Sequence, residues 1–216
     1  MYAPLNDESL LGGVQQLAAR DPDLARIVAA YGPPPLWARE PGFPTLILLI
    51  LEQQVSLASA RAAFNRLAAR LGTVTPAGFL TLDDAELRAI GFSRQKSSYA
   101  RHLAEAIGTG RCDLDALSAL DDDGVRAELV KLKGIGPWTA EIYLLMVLGR
   151  PDAWPVHDLA LAVAAQAVKG LAERPAPGEL AALAEPWRPW RAVAARLLWH
   201  YYLARREKRQ TADLAE

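Results

Sequence analysis

The run Leu132-Lys133-Gly134-Ile135-Gly136-Pro137-Trp138-Thr139-Ala140 reads as a tight hairpin joining two helices. Glycines at 134 and 136 let the backbone turn where side chains would clash, and they bare backbone N–H groups toward solvent. Pro137 suits the first turn of the helix that follows, whose N-terminus adds the positive end of its dipole. A nucleic-acid phosphate fits such unpaired amides, and Lys133 places a formal charge beside them. Ile135 is expected to plug between the two helices and hold the turn rigid, and Ala140 is small enough for close packing on the preceding helix. A helix–loop–helix connection without a ligand is the commoner outcome for a short loop. The paired glycines, followed by the small residues Thr139 and Ala140, favour the binding hairpin.

About one helix later, Trp154-Pro155-Val156-His157-Asp158 delivers a carboxylate to the start of another helix. Taken alone, an aspartate there is an ordinary N-cap. No metal site is expected, because His102, His157 and His200 are scattered without ligand spacing. The lone Cys112 excludes an internal disulfide and a four-thiolate cluster. Without a phosphate loop, nucleophile elbow or metal motif, a small-molecule enzyme is the least favoured class.

The elements that must carry these residues are all helical by periodicity and punctuation. Asp7 or Ser9 can cap a helix running to Arg20, and Asp21-Pro22 starts a second. Tyr31-Gly32-Pro33-Pro34-Pro35 is a rigid loop. Pro44 opens an apolar helix to about Val55, and Ser56 caps the next, ending near Gly72. Thr75-Pro76 and Leu82-Asp83-Asp84 start two short helices, the second stopping at Gly91. Helix is expected over 93–107, with a turn of helix over 113–117. Residues 121–132 and 137–148 form the arms of the hairpin, and helices over 158–168, 178–184 and 189–208 follow. No stretch alternates with strand period and no fixed repeat is present. The expected fold class is all-α.

Composition agrees, since Ala and Leu dominate a chain of 216 residues that is 51% apolar. A single compact unit is expected, with lobes over 43–110 and 111–216 and a helical N-terminal extension, residues 1–42, packed on them. The N-terminus lacks the pattern of a secretory signal and the longest apolar run, Leu46 to Leu51, is too short to cross a bilayer, so a cytoplasmic location and no membrane partner are expected. The net charge of -1 does not advertise a nucleic-acid binder. The distribution is more telling. Arg188, Arg191, Arg196, Arg205, Arg206, Lys208 and Arg209 face only Glu207 across the C-terminal stretch, and Arg94, Lys96 and Arg101 form a second basic segment. Solvated helix faces explain such runs equally well.

At this point a resemblance becomes specific. Leu132 to Ala140 resembles the helix-hairpin-helix of the DNA glycosylase superfamily named for that hairpin, a Gly/Pro-rich loop and an aspartate. Trp154 to Asp158 resembles the loop and aspartate. Leu51-Glu52-Gln53-Gln54-Val55-Ser56, Gly91-Phe92-Ser93-Arg94-Gln95-Lys96 and Trp187-Arg188-Pro189-Trp190-Arg191 with Leu198-Trp199 resemble the 3-methyladenine DNA glycosylase II branch. These matches occur in the family's order and span roughly Phe43 to Tyr202.

The resemblance implies an all-α, two-lobed body with the substrate cleft between lobes, lacking the N-terminal β-rich lobe of longer members. It also implies a monofunctional enzyme, because the hairpin-helix lysine that attacks the sugar in bifunctional relatives is Trp138 here, and an indole supplies no amine. The iron–sulfur ligands of the endonuclease III branch are absent. Asp158 is the implied catalytic residue, stabilising positive charge on the sugar as the N-glycosidic bond breaks and orienting water. Alkylated purines are already cationic and leave readily, so one essential carboxylate suffices. The target base must be flipped out, into a pocket whose implied rings are Trp138 and Trp199. Trp187 and Trp190 are assigned to packing. Gln53 and Gln54 either line the cleft or satisfy backbone groups, and His157, a departure from the family pattern, either pairs with Asp158, changes its protonation or faces solvent. The implied DNA contacts are Lys133, Gly134, Ile135, Gly136, Pro137 and Thr139, with Arg94 and Lys96 toward the second strand. The loop Gly72 to Gly78 is the expected source of the wedge that fills the vacated stack, with Val74 as candidate. No cofactor is expected beyond a monovalent cation on hairpin carbonyls.

The expected function is a monomeric, monofunctional glycosylase that excises alkylated purines of the 3-methyladenine or 7-methylguanine type from duplex DNA in base-excision repair. A glycosylase for deaminated or etheno bases and a non-catalytic helix-hairpin-helix DNA-binding protein are the alternatives.

Overall fold

Pro44, Pro76, Pro137 and Pro177 stand at the first or second position of a helix, and Asn6, Asp21, Ser56, Thr75, Asp83, Ser93, Asp121 and Asp158 cap helix starts through their side chains. This punctuation cuts the chain into helices with short connections. The computed structural model describes residues 3–213, with side chains described through 207, and all regular structure among the described residues is helical. The helices are α1 (Asp7–Arg20), α2 (Pro22–Tyr31), α3 (Phe43–Glu52), α4 (Leu57–Leu71), α5 (Pro76–Leu80), α6 (Asp84–Ile90), α7 (Arg94–Gly108), α8 (Asp122–Val130), α9 (Pro137–Met146), α10 (Leu159–Lys169), α11 (Pro177–Ala184) and α12 (Arg191–Asp213). The turn expected over 113–117 is instead a 3-10 turn, Ala116–Ala119.

Residues 39–143 form one compact unit. Its centre is α3, apolar on every face, with Phe43 and Leu46 to Leu51 all buried. A helix without a polar face must be covered on all sides, and α4 and α7 pack on it. Each fully buried Leu or Ile there contributes about 1.5–3 kcal/mol. Phe79 lies edge-on to both Phe43 and Phe92, with ring centroids 6.0 and 5.6 Å apart, which ties α5 and the start of α7 to that core. Arg39 makes a two-pronged ion pair with Glu52, each N···O distance 2.9 Å, at the end of α3.

Residues 1–38 and 144–216 form the second unit. Here α12 is central, with Ala192 to Leu198 buried, and α1, α2 and α10 pack on it. Gly13 lets α1 approach closely: a Cβ there would lie 3.0 Å from Val193 Cγ2 and 3.1 Å from the Trp190 ring. Asp21, buried, caps α2 and accepts hydrogen bonds from Lys169 Nζ (2.7 and 2.9 Å) and Trp187 Nε1 (2.7 Å).

The division differs from the expected lobes over 43–110 and 111–216. α1 and α2 belong with α12, because their apolar faces are buried on it, whereas the 3-10 turn, α8 and the start of α9 belong with α3 to α7. The N-terminal helices are therefore part of one unit's core rather than an addition to it.

Candidate functional site

The turn of the hairpin and the start of its second arm lie in the 39–143 unit. α8 ends at Val130, Ile135 N–H donates to Leu132 O (3.0 Å) and closes the turn, and α9 starts at Pro137. Gly134 has φ +89°, and a Cβ on it would sit 2.1 Å from Tyr99 Cγ. Both the conformation and the contact require glycine. Gly136 differs: no atom lies within 4 Å of the position its Cβ would take. The amides of Gly134 and Gly136 form no hydrogen bond among the described residues. Two bare N–H groups at a helix N-terminus, open on the Gly136 side, form an anion seat.

Ile135 and Thr139, expected among the DNA contacts, are buried at 4% and 2% exposure. Ile135 is buried in the turn between the arms. Thr139 Oγ1 accepts from Gln53 Nε2 (3.2 Å), which also donates to Gly134 O (2.9 Å). Gln53 thus braces the hairpin, as the second of its two readings has it. Leu132 O accepts from Ile135 N–H and Gly134 O from Gln53 Nε2.

Gln53 carries its neighbour with it. Gln54 is exposed and has φ +59°, a left-handed conformation that costs a non-glycine residue about 1–2 kcal/mol. The following Val55 and Leu57 are 45% and 59% exposed. Val74, the expected wedge, is buried at 7%.

Lys96 is also reassigned. Its Nζ donates to Leu51 O at the end of α3 (2.7 Å), and burial pushes its pKa down. The ammonium satisfies a helix-end carbonyl rather than a DNA strand. Arg94 is exposed at the start of α7. It lines, with Arg88, Ser98, Arg101, His102 and Lys133, a cavity of about 460 Å³ that adjoins the hairpin. Lys133 Nζ donates to Ser98 Oγ (3.1 Å) there.

Asp158, the loop before it and its donors Leu161 and Trp199 belong to the other unit. Trp154 anchors the loop: it is buried, its Nε1 donates to Leu180 O (3.2 Å), and its ring lies edge-on to Trp187, centroids 5.5 Å apart. Val156 N–H and Asp158 N–H then fold back onto Trp154 O and Pro155 O, both 3.0 Å. This brings Asp158, 9% exposed, to the N-cap of α10, where Oδ1 accepts from Leu161 N–H (2.9 Å) and Trp199 Nε1 (3.1 Å). Asp158 is a helix cap and more than a cap. An indole donor from another helix and the backbone fix the carboxylate in one orientation, in a low-dielectric setting that strengthens its field. Leu159, next in the chain, is 61% exposed, and His157 is exposed.

Trp37 adds a residue that sequence patterning did not single out. Its φ is +49°, and its ring lies 6.5 Å from Trp199 and 6.4 Å from His200, edge-on to both. A bulky side chain in that conformation is a genuine outlier. In the C-terminal basic stretch, Arg188 and Arg191 both pair with Asp152 and Glu185 and Arg196 is 1% exposed, whereas Arg205 and Arg206 are exposed. The side chains of Lys208 and Arg209 lie outside the described residues. Trp187 and Trp190 donate to Asp21 and Gln16, as packing residues do.

Residues 47–189 match the family model described as HhH-GPD superfamily base excision DNA repair protein. The chain belongs to the HhH-GPD superfamily. Among solved members, the chain is similar to the Schizosaccharomyces pombe 3-methyladenine DNA glycosylase Mag1 in complex with abasic DNA, with a TM-score of 0.79, 27% identity, and coverage of 87% of this chain and 95% of that one. A Bacillus halodurans DNA-3-methyladenine glycosidase matches with a TM-score of 0.73 and 30% identity over 88% of each chain. In sequence, YfjP of Bacillus subtilis is 30% identical over 158 residues, 69% of this chain and 55% of the relative. The DNA-3-methyladenine glycosylase of the same species is 28% identical over 118 residues, 55% of this chain. The chain spans 55% and 39% of the lengths of these two relatives. In this HhH-GPD member no helix of the described residues is long and apolar enough to cross a membrane, and no cluster of potential metal ligands occurs among them.

Proposed function

We propose that this chain is a monofunctional DNA glycosylase that removes alkylated purines from duplex DNA. The observation that carries the reading is Asp158, a mostly buried carboxylate whose orientation is fixed by Leu161 N–H and the Trp199 indole. As the base departs with the bonding electron pair, positive charge builds on the deoxyribose. A preoriented carboxylate stabilises that charge and accepts a proton from the water whose oxygen bonds to C1′, leaving an abasic site. Trp138 in place of a lysine leaves no amine there for Schiff-base attack, hence no strand cleavage by that route. The names of the relatives, several of them 3-methyladenine glycosylases, support the substrate class.

DNA is held at the Gly134 and Gly136 amides with Lys133 beside them. Arg94 extends this surface along the cavity at the start of α7. Gln54 takes the wedge role in place of Val74: it is exposed, at the tip of a turn that Gln53 ties to the hairpin, and its strained backbone aims the side chain away from the core. The flipped base stacks against Trp199, and the chain acts as a monomer.

Base release from methylated duplex DNA, measured for the wild type and Asp158→Asn alongside binding, tests the reading. Release by the wild type alone, with binding by both, is the expected result. Equal release by both removes Asp158 from the mechanism, and binding without release by either favours a non-catalytic DNA-binding protein.

A further inference from the structure

Trp37 sits in a place where packing alone would not put a tryptophan. Its φ of +49° is a conformation in which glycine is unstrained and a bulky residue is not. The residue is half-buried, so part of it meets solvent. The rigid Pro33-Pro34-Pro35 approach fixes its direction from one side.

Arg196 fixes it from the other. This guanidinium, 1% exposed on α12, donates from Nε to Leu36 O (2.7 Å), from Nη1 to Ala192 O (3.0 Å) and from Nη2 to Leu145 O (2.8 Å). Burial lowers its pKa to about 10, so it still carries its charge at neutral pH. Burying a cation is costly, and this one spends its planar fork on backbone carbonyls, one of them on the residue directly before Trp37. A lysine at 196 could not serve three carbonyls in that geometry.

The ring so held meets Trp199 at 67°, and Trp199 in turn donates to Asp158. Trp37 and Trp199 therefore form an aromatic corner, and the indole N–H of Trp199 holds the Asp158 carboxylate. Ring faces attract cations, and a carboxylate nearby does the same. We infer that Trp37 is a specificity-determining wall for a cationic purine ring, and that Arg196 is its positioning residue. The inference rests on the glycosylase reading for the delivery of that ring on DNA, and on this corner for the preference.

The test separates the two. Duplexes carrying one 2′-fluoro-7-methylguanine or one 2′-fluoroguanine resist cleavage, because fluorine at C2′ disfavours a cationic sugar, so their affinities can be compared at equilibrium. The wild type should prefer the methylated duplex by about 3- to 30-fold, the range that a cation–π contact spans. Trp37→Gly, which suits the backbone conformation and should fold, should bring the ratio within about 2-fold of unity. Trp37→Leu should do the same, Trp37→Phe should retain most of it, and Arg196→Lys should reduce it while duplex affinity stays. A wild-type ratio near one, or an undiminished ratio in Trp37→Gly, overturns the assignment of Trp37. An undiminished ratio in Arg196→Lys removes Arg196 from it. Base release from methylated DNA with ordinary deoxyribose is scored separately: its absence, with the binding ratio intact, sinks the glycosylase reading and leaves the corner standing.

Discussion

Trp199 Nε1 and Leu161 N–H converge on one oxygen of Asp158, at 3.1 and 2.9 Å. The helix cap and the proposed catalytic carboxylate are thus the same group, and a substitution can separate the two jobs. Asparagine keeps an acceptor oxygen for both donors but carries no charge. Asp158→Asn should therefore unfold within a few degrees of the wild type, while base release falls by roughly 10²–10³ or more. Thermal melts and single-turnover release measure the two quantities. A large loss of stability with release intact would leave only the cap.

Trp199→Phe removes the indole donor and retains most of the ring. A hydrogen bond to a charged group contributes about 1.5–3 kcal/mol, so stability should fall by an amount in that range and release by about tenfold as the carboxylate loses its fixed orientation. Denaturant unfolding and release kinetics on the same preparation check both. Unchanged release would mean that the Leu161 amide suffices to hold Asp158.

The two hairpin glycines should behave differently. Gly134→Ala forces a Cβ to within 2.1 Å of Tyr99 Cγ at φ +89°, so it should lower the melting temperature by several degrees and weaken DNA binding together. Gly136→Ala meets open space. It should leave the melting temperature nearly unchanged and still reduce affinity for undamaged duplex, because the methyl group stands where a phosphate must approach. Binding by Gly136→Ala equal to the wild type would move the phosphate seat elsewhere.

Salt dependence distinguishes Arg94 from Lys96 on α7. Each phosphate contact contributes about 0.9 to the slope of log K against log salt. Arg94→Ala should reduce that slope by about one. Lys96→Met should leave the slope alone and destabilise the fold, since Lys96 is committed to Leu51 O. The reverse outcome would restore Lys96 as the DNA contact.

These contrasts also mark what the sequence conveyed. Helix starts were legible because caps and prolines act locally: Ser56, Thr75, Asp83, Ser93 and Pro137 stand where their chemistry places them. The hairpin and Asp158 were legible because their residue types are demanded by backbone geometry or by charge. What escaped depends on contacts distant in sequence. Lys96 reads as a surface charge until Leu51 O is beside it, and Thr139 as a hydroxyl for phosphate until Gln53 takes it. Gln54 and Trp37 carry left-handed backbones that no residue preference announces. The lobes were misplaced for the same reason, since α1 and α2 find their apolar partner in α12 at the other end of the chain.

Asp21 gives the fold a pH dependence of determined sign. Burial pushes its carboxyl up, but hydrogen bonds from Lys169 and Trp187, the Lys169 charge and the Asp23 amide outweigh that and hold it below its ordinary value. A carboxyl whose pKa is lower in the folded than in the unfolded chain stabilises the fold fully above its unfolded pKa, near 4. That contribution is lost as pH falls through the folded value. Asp21→Asn keeps an acceptor for the α2 cap but gives up the charge. At pH 7 it should cost toward the lower end of roughly 3–5 kcal/mol, because Asp23 still pairs with Lys169 at 2.8 Å. The gap between wild type and variant should hold from pH 7 to about 5 and narrow steadily below pH 4. Urea unfolding across that range measures it. A gap that stays constant down to pH 2 would show that the Asp21 charge contributes nothing and that its hydrogen-bonding shape alone holds α2 to α10 and Trp187.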